Sequence, residues 1–95
     1  MVLLALALGG CYRANQTRFE QSVHGQVSVG MPLQTAVTNV GKLKLECTGV
    51  NPLYCTRIRD GLMPYSCLER VVLHWSDPDR TLSAVDIPPI ACTSL

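Results

Sequence analysis

The chain has 95 residues, five of them cysteine, and a formal net charge of +1. That length is one small domain, whose thin core needs some cross-linking. A near-neutral balance gives no electrostatic case for a nucleic-acid partner. Apolar content of 47% against 16% charged residues excludes a disordered chain.

Residues 2–8 are an apolar run that ends in Leu8-Gly9-Gly10-Cys11. This stretch resembles a bacterial lipobox: an apolar residue at −3, two small residues, then a cysteine whose thiolate takes a diacylglyceryl group. The small residues let the chain fit the peptidase beside the membrane. On this reading residues 1–10 are a lipoprotein signal peptide, Cys11 is the lipidated first residue, and Tyr12, which is not aspartate, directs sorting to the outer membrane. Two fatty chains on the glyceride, and a further amide-linked chain, suffice for stable anchoring. No Lys or Arg precedes the run, whereas export signals begin with a positive region. Either the start lies upstream of Met1 or the run is an ordinary apolar terminus. It is far too short to span a bilayer, which takes ~20 apolar residues.

Residues 11–22 are polar and weakly patterned, as suits a tether, with a short helix around Phe19 and Val23 as a variant of that reading. Asn15-Gln16-Thr17 matches a glycosylation sequon, which is read as chance. A single domain is expected over 23–95. Gly30-Met31-Pro32 opens the clearest helix, since proline is favoured at the first helical position. Leu33, Ala36, Val37 and Val40 follow at helical spacing, and Gly41 is placed at C′. So short a helix must pack on a sheet.

Residues 43–48 and 53–58 flank the turn cluster Gly49-Val50-Asn51-Pro52 and read as a hairpin. Residues 59–66 read as a loop. Residues 68–75 are the best strand. Asp77-Pro78-Asp79-Arg80 reads as a type I turn. Residues 81–87 return as the last strand, ended by Pro88-Pro89, which cannot donate to a ladder. The expected fold is α+β: one or two short helices on a three- to four-stranded antiparallel sheet with two disulfides.

Five cysteines is an odd number; giving Cys11 to lipid leaves Cys47, Cys55, Cys67 and Cys92 for two bridges. Disulfides persist in oxidising compartments, which agrees with an export signal. Cys47 and Cys55 are symmetric about Asn51, and Cys67 and Cys92 nearly so about the 77–80 turn. The expected pairs are therefore Cys47–Cys55 and Cys67–Cys92. Strand alternation leaves one conflict, because Leu45 should share a face with Arg57. Either a bulge or arginine stems lying over apolar surface resolves it.

Motifs of catalysis are not apparent. The cysteines form no C-x-x-C and His24 and His74 stand apart, so no metal site or other cofactor is expected. His74 alternates with Leu73 and Trp75 and reads as a solvated strand position. Asp77 and Asp79 lack the remaining ligands of a calcium loop. No nucleophile has an evident base, and no catalytic residue is assigned. The 59–66 loop is the candidate contact surface, because Leu62, Met63 and Tyr65 put apolar groups into a connection that should be polar. The alternative is that it folds down and caps the sheet. Arg57, Arg59 and Arg70 form either a basic rim nearby or a solvated sheet face.

Val29-Gly30-Met31-Pro32-Leu33 followed by Ala36-Val37 resembles the helix opening of the BamE (SmpA/OmlA) outer-membrane lipoproteins. The hairpin, long strand, polar turn and final strand ending Leu82-Ser83-Ala84-Val85-Asp86-Ile87 resemble the same layout over about residues 23–89. The resemblance implies helices on one face of an antiparallel sheet and an accessory role in β-barrel assembly. Pro32 stands where that family has a capping threonine, and its members do not carry the four extra cysteines or this 59–66 loop. Pro64-Tyr65-Ser66-Cys67-Leu68-Glu69-Arg70-Val71 is also similar to small proteobacterial four-cysteine lipoproteins of no assigned activity. The expectation is a protein-binding module held in the outer membrane, facing the periplasm, with an envelope protein as partner. The alternative is a small secreted or periplasmic inhibitor of a hydrolase.

Overall fold

The computed structural model describes residues 14–60 and 65–94. Two helices, α1 (Gln16–His24) and α2 (Leu33–Lys42), pack on an antiparallel sheet of β1 (Glu46–Gly49), β2 (Leu53–Asp60), β3 (Tyr65–Ser76), β4 (Thr81–Asp86) and β5 (Ala91–Ser94). The order is β1-β2-β3-β4, and β5 also pairs with β3. The fold is the expected α+β, with a fifth strand added.

The apolar residues of α1 are one turn apart, so Phe19 and Val23 share a face and are buried. Asn15 caps this helix, its Oδ1 accepting from the Arg18 amide at 2.9 Å. The first-read tether thus contributes to the domain from Asn15 onward, and the core takes in Phe19. Gln16 docks the helix start on the sheet, where its Oε1 accepts from the Ile90 amide at 2.8 Å.

Helix α2 buries Ala36 and Val40 and half-buries Leu33 and Val37. Pro32 stands just before the helix, at φ −58° and ψ 139°, and its carbonyl accepts the first helical bond from Ala36. Gly41 is helical, so it is not the C′ residue. The left-handed position falls at Lys44, φ 68°. The Lys44 amide donates to the Gly41 carbonyl and the Leu45 amide to that of Val40. This is a Schellman motif, completed by the buried pair Val40 and Leu45. The helix runs on to Lys42 because its last carbonyls find partners there and the ending delivers Leu45 to the core.

The hairpin turns where its residues predicted. Cys47 faces Cys55 across β1 and β2, and Gly49 takes φ 92°, where a Cβ would meet the Pro52 carbonyl at 3.0 Å. Only glycine suits that position. The 77–80 connection is led by a cis Asp77–Pro78 peptide and closed by Arg80 at φ 51°, departing from the simple type I turn.

Strand β3 is the spine of the sheet. It pairs with β2 along Ser66 to Leu73 on one side, and with β4 and then β5 on the other. The register slips by one residue between His74 and Trp75, and again between Val72↔Asp86 and Leu68↔Ala91, where Pro88-Pro89 lies. The prolines interrupt pairing but do not end it: β5 resumes opposite β3, and Cys67 meets Cys92 there. Both expected disulfides form, Cys47–Cys55 and Cys67–Cys92.

Alternation sorts the faces. Cys55, Cys67, Val71, Leu73 and Leu82 point under the helices and are buried. Tyr54 and Ile58 point away, 52% and 69% exposed. His74 is on the outer face as read, its Nε2 2.8 Å from Asp86 Oδ2.

Candidate functional site

Strand β2 is longer than its outer neighbour. The β1 ladder starts at Glu46↔Thr56, while β2 continues through Asp60. A cleft of about 570 Å³ lies along this overhang, lined by Lys44, Glu46, Thr56, Arg57, Ile58 and Arg59. The Schellman ending of α2 creates it. The Leu45 amide is turned back to Val40, so residues 43–45 follow the helix and cannot extend the β1 ladder.

Arg57 and Arg59 are two apart on β2, so they share a face, and it is the face under the helices. Arg57 stands directly opposite Glu69 of β3. Its Nε donates to Glu69 Oε1 at 2.6 Å, and its Nη2 lies 2.5 Å from the same oxygen. Its Nη1 donates to the Leu43 carbonyl at the end of α2, where the helix dipole favours a cation. The guanidinium carbon lies 5.9 Å from the Phe19 ring centroid. Arg59 Nη1 is 3.9 Å from the same Glu69 oxygen. Glu69 is 3% exposed, Arg57 18% and Arg59 40%. The buried carboxylate is thus matched by two cations, as burial of a charge requires.

This arrangement resolves the conflict between Leu45 and Arg57. No bulge interrupts the β1–β2 register; the arginine lies over an aromatic ring and carries its charge to Glu69. Arg70 does not join Arg57 and Arg59 in one rim. It sits opposite Thr56, on the other face, and its Nη2 donates to the Pro89 carbonyl at 2.9 Å.

Of the residues read as a contact surface, Arg57 and Arg59 come together at the cleft. Tyr65 is the first residue of β3, opposite Ser94. Leu62 and Met63 lie outside the described residues, as do Cys11 and the apolar run before it. Sequence reasoning missed Lys44, Glu46 and Glu69. Glu69 had a signal: it is a charged residue in the period-two series of Cys67, Val71 and Leu73, matched on β2 by Arg57. Lys44 had none, because its role follows from where α2 stops.

The cleft offers main chain and charge. Its lining holds three cations and one carboxylate, with Glu69 behind them. Among the described residues no group of three His, Cys, Asp or Glu converges as a metal site, and no helix is long and apolar enough to cross a membrane. No protein-family model matches the chain, and no curated protein or solved structure matches it.

Proposed function

We propose that this protein is a lipid-anchored module of the outer membrane that faces the periplasm and works by protein contact, not by catalysis. The observation that carries the reading is the overhang of β2, a strand edge with a cationic cleft beside it. A sheet edge that β1 leaves uncovered is a ready surface for another chain. The lipobox-like Leu8-Gly9-Gly10-Cys11 supports the anchor, and the two disulfides support an oxidising compartment. The BamE-like layout supports an envelope assembly accessory as the kind of module.

Two measurements test this. Intact mass of the membrane-extracted protein is expected to show acyl mass at residue 11 and the loss of four hydrogens at the other thiols. Site-directed photo-crosslinking from the β2 overhang, in cells, is expected to trap one defined envelope protein. A reduced, unacylated protein in the cytosol, or crosslinks to no defined protein, overturns the reading.

A further inference from the structure

We propose that the outer face of the sheet, the one turned away from the helices, lies flat on the lipid bilayer, with Tyr54, Ile58, Leu68 and Val72 entering a zwitterionic headgroup surface. This inference rests on the lipid-anchored reading above and gives the anchored domain an orientation.

The first argument is reach. Residues 11 to 15 are four steps of chain, and Asn15 is the N-cap of α1. An extended chain covers at most about 3.3–3.6 Å per residue, so an acyl group at Cys11 holds the start of α1 within about 14 Å of the membrane. That start is pinned to the sheet. Gln16 Oε1 accepts from the Ile90 amide at 2.8 Å, and its Nε2 donates to the Pro88 carbonyl at 3.4 Å. The same segment is held from the outer face, where Arg70 Nη2 donates to the Pro89 carbonyl at 2.9 Å. A packed layer adds about 10 Å, so the anchor reaches either broad face of the domain.

The second argument is what each face offers. The helix side turns Thr17, Gln21, Gln34, Thr35 and Thr38 to solvent. The outer face carries two apolar rows across its strands, Tyr54↔Val72 and Ile58↔Leu68↔Ala91. Tyr54 and Ile58 are large and exposed. Thr56 and Arg70 stand between the rows. A tyrosine beside aliphatic residues suits a membrane interface, where its ring is buried and its hydroxyl stays in water.

The third argument is area, and it decides between a bilayer and a second copy. Three strands about 4.8 Å apart, followed over five residues at about 3.3 Å each, cover roughly 240 Å². A stable dimer buries about 800 Å² per copy. So small a patch suffices against a surface that is already close, because a short tether makes the contact intramolecular at an effective concentration in the millimolar range.

Charge fixes the lipid class. Glu46, Asp60 and Asp86 rim this face against Arg70 and His74, and Asp86 is 2.8 Å from His74. Such a rim gains nothing from anionic headgroups, so burial of apolar surface carries the contact. Lying flat, the sheet turns the β2 overhang sideways along the membrane, where an envelope protein meets it.

The test uses the acylated protein extracted from membranes, in phosphatidylcholine nanodiscs that contain a headgroup spin-labelled lipid, read by amide NMR. Amides of residues 54–58, 68–72 and 91 are expected to broaden about threefold more than those of 33–42, which lie one layer further from the lipid. Tyr54→Glu with Ile58→Glu, both at exposed positions, is expected to abolish that difference while the core amides keep their shifts. A ten-residue glycine–serine linker between Tyr12 and Arg13 leaves the folded domain unaltered and is expected to reduce the broadening severalfold. Adding phosphatidylserine is expected not to strengthen it. Stronger broadening of the helix residues, equal broadening of both faces, or contact only with the anionic lipid overturns this inference, as does a face covered by a second copy in each disc. In those cases acyl mass at residue 11 leaves the anchor standing. Absence of acyl mass overturns the anchor and this inference together.

Discussion

The two edges of the sheet are finished in opposite ways. On the β4 side the chain covers the start of its own edge: the Gly30 amide donates to the Leu82 carbonyl, the Leu82 amide to that of Met31, and the Leu33 amide to that of Arg80. Pro32 pairs with Thr81 in an isolated bridge. Further along, β5 is fastened to β3 by Cys67–Cys92. On the β2 side the edge continues past β1 with two arginines on one face. One flank of β3 is closed by hydrogen bonds and a covalent bridge; on the other, β2 runs past β1 beside an ion cluster. A covalent bridge fixes a strand end by limiting the unfolded chain, whereas an ion cluster fixes it only while its buried charge stays matched.

The largest expected effect lies on the closed side. Replacing Cys67 and Cys92 by serine opens a loop of 25 residues; chain entropy puts the loss near 3.5 kcal/mol in urea unfolding, with β5 amides exchanging first. The equivalent change at Cys47 and Cys55 opens only eight residues, and a smaller loss of about 2.5 kcal/mol is expected. If the two losses prove equal, loop length is not what separates the edges.

Next in size is the ion cluster of the open side. Arg57→Ala removes the guanidinium 2.5 Å from Glu69, which is 3% exposed, and leaves the Arg59–Glu69 pair in place. A loss of about 2 kcal/mol is expected, less than for a fully buried pair because Arg57 keeps some solvent contact. Arg57→Met, which keeps the stem over Phe19, is expected to lose as much; a clear recovery would show that packing dominates.

The smallest effect carries the opposite sign. Lys44→Gly relieves the left-handed backbone, and a gain of about 1 kcal/mol in thermal unfolding is expected. No gain would mean that the lysine side chain contributes to folding what its backbone costs.

Much of this architecture is legible from local signals. Apolar positions at helical spacing marked α2, and symmetry about Asn51 marked the first hairpin and its bridge, because a two-strand register depends on neighbours in sequence. The Cys67–Cys92 pair was legible only approximately. Two single-residue slips separate it from strict symmetry about 77–80, and each depends on how β4 and β5 fit against β3. Phe19 was hard to place because an isolated polar helix offers no sign of what it will cover.

The candidate site divides in the same way. Its arginines stood out by charge and spacing, but Glu69 gained meaning only once β2 and β3 were in register.

Composition, periodicity and cysteine count by themselves determined a small cross-linked α+β domain, since each reports on contacts within a turn or a hairpin. Only the tertiary structure decided that α2 would end at a left-handed lysine, that Arg57 would lie under a helix beside a buried carboxylate, and that β2 would outrun β1. Those outcomes depend on which distant segments share one core and compete for its edges, and no local pattern encodes that competition.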